Sequence, residues 1–216
     1  MPQGDEMERS LARVIDPELD AYLADYARHW ASLRPDAPIH ERRIHGDNVA
    51  AAMALPAPAE VETSYREIPG ENRSIPLRID KVADASDAPC LVYIHGGGFS
   101  GGSTRTHADI TMQLAATNRQ TVVSVEYGLA PENQFPVALY ECRDAAVWVY
   151  ENAASLGIDS RLIAVGGDSA GATLAAGVTL LLRGQPAAPM AQILVYPCLH
   201  FDMGLGVVHR AGKLFR

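Results

Sequence analysis

Short apolar runs alternating with helix-length segments predict an α/β chain with a mainly parallel sheet covered by helices on both faces. Two glycine-rich turns strengthen that reading. His95-Gly96-Gly97-Gly98 follows the apolar run Cys90–Ile94, and Gly167-Asp168-Ser169-Ala170-Gly171 follows Leu162–Val165. Apolar runs this short, bounded by glycine or proline, are the pattern of strands buried on both faces.

The elements follow in order. Asp16-Pro17-Glu18 marks a helix start with proline in the first turn. Leu19, Tyr22, Leu23, Tyr26 and Trp30 then recur at helical spacing and form one apolar stripe. Residues 49–61, rich in Ala, Pro and Met, read as a connector. Strands are expected at Glu62–Ile68, Ile75–Val82, Cys90–Ile94, Thr121–Val125, Leu162–Val165 and Gln192–Tyr196. Helices are expected between them at Asp109–Ala116, Leu139–Ala154 and Ala170–Leu182. The chain therefore divides into an N-terminal helical segment with its connector (1–60), a core (61–203) and an irregular tail (204–216).

Composition narrows the function classes. A chain of 216 residues can bury a sizeable core in one domain. Its 48% hydrophobic and 20% charged content is that of a soluble globular protein. A net charge of −8 argues against nucleic acid, which needs a basic face. Cys90, Cys142 and Cys198 lack metal spacing and read as small buried hydrophobes in a reducing compartment. The polar, acidic start is no secretory signal, and the most apolar helix, Ala172–Leu182, is too short to span a bilayer. The expectation is a cytoplasmic protein with no membrane partner. His29, His40 and His45 sit among charges without ligand spacing, so no metal is expected.

The chemistry resides in the two turns. A serine between a strand and a helix in Gly-x-Ser-x-Gly is forced into a strained backbone, and residues two before and two after must lack colliding side chains. Its hydroxyl is then presented for attack on a carbonyl. Successive glycines at 96–98 let the backbone approach a ligand and point N–H groups at a developing oxyanion. Ser169 is thus the candidate nucleophile, and Gly97, Gly98 and Ala170 are the candidate oxyanion donors. Gly96-x-Gly98-x-x-Gly101, with Glu126 ending the next strand, also matches a dinucleotide fingerprint. That match is set aside because Glu126 lies beyond the usual ~20-residue gap and the fingerprint leaves Gly-Asp-Ser-Ala-Gly unexplained. No cofactor is expected.

His-Gly-Gly-Gly, Glu126-Tyr127-Gly128-Leu129-Ala130-Pro131-Glu132, Gly-Asp-Ser-Ala-Gly and Tyr196-Pro197 together resemble the hormone-sensitive-lipase-like branch of the α/β-hydrolases, over roughly residues 60 to 200. The resemblance implies a serine carboxylic-ester hydrolase acting on short to medium acyl esters through an acyl-enzyme, with N-terminal cap helices and a small-molecule ester as partner. Two departures stand out. Gly128 occupies a position where the family usually has arginine, which removes a structural contact. The family's acid and base loops, which follow its seventh and eighth strands, have no counterparts among the six strands counted here. The expectation is a C-terminally truncated sheet, with a catalytically dead member or a non-hydrolytic ligand-binding homologue as alternatives. The sixth strand would then be an apolar edge open to self-association.

Other polar residues receive quieter readings. Asp202 and His209 in the tail have no scaffold to position them. His95 is expected to order the glycine loop by hydrogen bonding, and His107 to pin the segment after it. Asp168 reads as a local backbone anchor, Glu141 and Asp144 as a solvated or capping face, and Trp148 as core.

Overall fold

The computed structural model describes residues 17–83 and 86–200, in two units that divide between Ala54 and Leu55. The first unit holds α1 (Pro17–Trp30) and α2 (Ile39–Met53). The expected stripe on α1 forms an aromatic ladder, with Tyr22 stacked on Tyr26 at 6.4 Å and Tyr26 tilted against Trp30 at 5.9 Å. Trp30 continues the ladder onto α2, meeting the His45 ring edge-on at 5.0 Å. The His45 Nε2 bonds to the His29 carbonyl at 2.9 Å. Helix α2 corrects the expectation of a connector from residue 49, because it runs on to Met53. Its sequence, IHERRIHGDNVAAAM, shows no apolar stripe, so periodicity could not announce it. The helix start is held instead by Arg42, whose side chain bonds back to the Ala37 carbonyl at 2.8 Å.

The second unit is built on one six-stranded sheet of order β1-β2-β4-β3-β5-β6. The strands are β1 (Val61–Ile68), β2 (Ile75–Val82), β3 (Ala88–Ile94), β4 (Thr121–Val125), β5 (Ile158–Asp168) and β6 (Ala191–Val195). β1 pairs antiparallel with β2, and β2 antiparallel with β4. The pairs β4–β3, β3–β5 and β5–β6 are parallel, giving the mainly parallel sheet expected. β5 is longer than its apolar run because it starts at Ile158 beside Ala88, and a register irregularity then brings Ile163 opposite Cys90.

Helices cover both faces. α4 (Val137–Glu151) and α6 (Ala170–Leu181) place Cys142, Ala145, Val149, Leu174, Ala175 and Val178 against Cys90, Val92, Ile94 and Val165. α3 (Ala108–Asn118) places Ala115 against Leu91, Tyr93 and Val122 on the opposite face. This division follows strand alternation, since even and odd positions of β3 point to opposite sides. The short α5 (Ala153–Leu156) follows α4 and ends at Gly157 in the left-handed region.

Two sequence expectations change here. Cys198 is exposed rather than buried, because it lies beyond the end of β6. Glu141 is buried rather than solvated, for the reason given below. Among the described residues no helix is long and apolar enough to cross a membrane.

Candidate active site

Ser169 stands at the junction of β5 and α6 with φ +50° and ψ −119°, a region costly for a residue with a side chain. The flanking glycines explain how the turn is tolerated. A Cβ on Gly167 would lie 2.0 Å from the Ile94 carbonyl oxygen, and one on Gly171 would lie 1.9 Å from the same atom. The turn is therefore pressed against the end of β3, where Ile94 pairs with Gly167. The Ser169 amide donates to the Val195 carbonyl at 2.9 Å, so β6 also supports the turn. Ser169 is half-buried, and among the described residues no side chain hydrogen-bonds to its hydroxyl.

The glycine loop leaves β3 beside this turn. Gly97 has φ +120°, and a Cβ there would meet the Gly101 carbonyl at 2.2 Å, so the tight bend requires glycine. The Gly97 carbonyl accepts from Ser100 and Gly101 at 3.2 and 2.9 Å. Among the described residues the amides of Gly97 and Gly98 make no backbone hydrogen bond outside helices and strands. Ala170 is the first residue of α6, and its N–H belongs to the set a helix leaves without an internal acceptor. Three unspent amides thus belong to two packed turns.

The loop is braced by side chains that sequence reasoning did not single out. Tyr127, just past β4, stacks on the His95 ring at 4.3 Å, and its hydroxyl donates to the His95 carbonyl at 2.8 Å. The Ala130 amide donates to the Phe99 carbonyl at 2.9 Å. Buried tyrosines need a partner for the hydroxyl, and that rule was the available clue to Tyr93 and Tyr127. His95 is 1% exposed and its Nδ1 bonds the Gly96 carbonyl at 2.8 Å, as expected of a loop-ordering residue. Burial lowers its pKa to about 4, against the opposing pull of that bond, so the ring is neutral near pH 7.

Asp168 is more than a local anchor. Its Oδ1 accepts from the Gly96 amide at 3.0 Å and the Tyr93 hydroxyl at 2.8 Å, and lies 3.3 Å from His107 Nε2. His107 also contacts the Thr106 hydroxyl through Nδ1 at 2.8 Å. Glu126, the acid of the discarded dinucleotide fingerprint, accepts from both the amide and the hydroxyl of Thr104 at 2.7 Å. That carboxylate is thus spent on the loop before α3.

Glu141 of α4 accepts two bonds from Arg73, at 2.8 and 2.9 Å, and a third from the Gly128 amide at 2.6 Å. Three donors explain its burial. A Cβ on Gly128 would come within 2.7 Å of Asn133, so the residue suits the space it has. Trp148 packs against the core as expected, and Asp144 pairs with Arg143 on a partly exposed face. His209 and Asp202 lie outside the described residues.

A cavity of about 520 Å³ opens on the α3 side of the sheet, lined in part by Leu91, Tyr93, His107, Ile110, Asp168 and Tyr196. Ser169 is not among its lining residues. Among the described residues no group of three or more His, Cys, Asp or Glu side chains converges as metal ligands would.

Known proteins resemble this chain in sequence and fold. Residues 91–210 match the family described as the alpha/beta hydrolase fold. The chain is 36% identical over 200 residues to an arylesterase of Saccharolobus solfataricus, covering 92% of this chain and 65% of that protein. It is 42% identical over 118 residues to the carboxylesterase NlhH of Mycobacterium tuberculosis, covering 54% of this chain and 37% of the relative. The solved structure of a hyperthermophilic esterase from the archaeon Pyrobaculum calidifontis superposes with a TM-score of 0.76 at 37% identity, over 86% of this chain and 59% of that one. The chain thus spans less than two thirds of the length of these relatives. The matched region holds both glycine turns, the paired strands that carry them and the serine junction, and the chain belongs to the alpha/beta hydrolase fold family, in its hormone-sensitive-lipase-like branch.

Proposed function

We propose that this chain carries the nucleophile and oxyanion machinery of a carboxylic-ester hydrolase. The observation that supports this reading best is the backbone of Ser169, held at positive φ between two glycines whose Cα atoms touch the end of β3. Strain of this kind clusters at functional sites, and here it goes with a hydroxyl presented at a turn packed on the strand end from which the glycine loop departs. The names of the relatives agree with ester chemistry.

In this reading the Ser169 hydroxyl adds to the ester carbonyl while its proton passes to a base. The carbonyl oxygen becomes an anion and is met by the amides of Gly97, Gly98 and Ala170. Collapse of that intermediate expels the alcohol, which takes the proton, and leaves an acyl group on Ser169. Water then adds to the acyl carbon, and its departure as carboxylic acid restores the serine. His95 and His107 are committed to the loop, so the base is a different residue. The substrate is a small ester of short to medium acyl length.

The test pairs initial rates on short-chain p-nitrophenyl esters with labelling by a fluorophosphonate, read by intact mass. Ser169→Ala should lose the label and reduce turnover by about 10³-fold or more. Equal turnover or labelling in the variant would overturn the reading, as would a folded protein that shows neither.

A further inference from the structure

The proposed chemistry uses one hydroxyl and three amides, and leaves unused the side-chain cluster beside them. Asp168 shares a peptide bond with Ser169, and Gly96 shares one with Gly97. The Asp168 carboxylate bonds the Gly96 amide at 3.0 Å, so a single side chain joins the serine turn to the glycine loop. A Cβ on Gly96 would lie 2.2 Å from Asp168 Oδ2, which shows how closely the carboxylate rests on that backbone.

The same oxygen is shared. Tyr93 donates to Oδ1 at 2.8 Å, and His107 Nε2 stands 3.3 Å away. Tyr196 reaches Oδ2 at 3.5 Å. Charged acceptors form shorter and stronger hydrogen bonds than neutral ones, so loss of the anion weakens every contact at once. The side chains of His107 and Asp168 retain 15% and 13% exposure and both line the 520 Å³ cavity.

The groups facing His107 come from several elements. Asp168 ends β5, Tyr93 lies on β3, and the His95 ring sits just beyond β3 at 5.7 Å. Tyr196, which follows β6, lines the same cavity as His107. Burial alone would raise the Asp168 pKa. The bond and charge of His107, aided by Tyr93 and Gly96, outweigh burial and hold the carboxyl below its ordinary range.

We propose that Asp168 and His107 are a positioning pair that sets the Gly96–Gly98 loop against Ser169, with the contact from His107 holding the carboxylate in place. The inference rests on the Ser169 reading for its functional meaning. Asp168→Asn is the informative variant, since it keeps an acceptor for Gly96 while removing the anion. His107→Gln is the second, keeping a polar side chain without the imidazole ring.

The first measurement is NMR of the ¹⁵N-labelled chain at pH 7. The Gly96 amide resonance should move in Asp168→Asn, and by a smaller amount in His107→Gln. A Gly96 amide indifferent to either substitution overturns the inference. Ser169→Ala should leave that dependence intact, so the result stands apart from failure of the hydrolase reading. The second measurement is kinetic. If turnover depends on Ser169, Asp168→Asn should lower kcat about tenfold or more with KM within about twofold, less than outright loss of an oxyanion donor. An unchanged kcat overturns the positioning role.

Discussion

Arg73 grips the buried carboxylate of Glu141 with two hydrogen bonds, of 2.8 and 2.9 Å, and donates a third to the Glu126 carbonyl at 2.7 Å. This places a guanidinium between the β1–β2 connection, α4 and the segment after β4. Position 128 is glycine where the family usually carries arginine, and the Gly128 amide itself bonds Glu141.

The partners of this pair should respond unequally. Glu141 is 7% exposed in its side chain and Arg73 is 35% exposed. Arg73→Met leaves a carboxylate inside the protein with one remaining donor, and should cost about 3 kcal/mol. Glu141→Gln leaves a guanidinium that water still reaches, and should cost about 1 to 2 kcal/mol. Urea unfolding midpoints compare them. The reverse order would show that the pair is not held as described.

Gly171 should tolerate no side chain. Gly171→Ala drives a Cβ to 1.9 Å from the Ile94 carbonyl, and should cost about 3 kcal/mol or prevent folding. Gly184→Ala is the matched control. Gly184 has φ +76° with nothing within 4 Å of the added Cβ, so only the backbone term of about 1 kcal/mol applies. Equal melting temperatures for the two variants would contradict the packing of the serine turn against β3.

Stability should fall with acid through His95. Its pKa is near 6.5 in the unfolded chain and about 4 when folded, so the unfolded state binds more protons between those values. The contribution is complete above about pH 6.5 and is lost progressively on acidification, by roughly 3 kcal/mol in total. Unfolding measured at pH 7 and pH 5 should show the decline, and His95→Asn should flatten it. A slope unchanged by the substitution would assign the effect elsewhere.

A buried network ties the outer strands to α3. Asp80 is fully buried and accepts from Arg78, from Thr63 at 2.6 Å and from Thr111 at 2.8 Å. Asp80→Asn strands the nearly buried Arg78 charge and should cost about 3 to 5 kcal/mol. Replacing both residues at once, by Arg78→Met with Asp80→Leu, should cost less than the single change. Calorimetry of the three proteins settles the order, and a double variant worse than the single one would refute it.

The strand plan was legible because burial leaves a chemical trace along the chain. Cys90–Ile94, Thr121–Val125 and Leu162–Val165 are apolar because helices cover both faces of the sheet there. The serine junction was legible for a related reason, since Gly167 and Gly171 are glycines forced by contact with β3. Helix α2 left no such trace, because its residues show no single apolar face. Glu141 was misread for the same reason, as a carboxylate signals exposure unless its donors are known, and Arg73 lies far from it in sequence.

Local pattern by itself determined the α/β class, the order of the strands along the chain and the strained serine held between its glycines. These depend on steric and periodic rules acting over a few residues. Only the folded chain decided which side chains bind the loops together: Asp168 with Gly96, Tyr127 with His95, Arg73 with Glu141. Each of these contacts joins residues brought near by the folded sheet, and hydrogen bonds between distant segments leave no periodicity for a linear reading to detect.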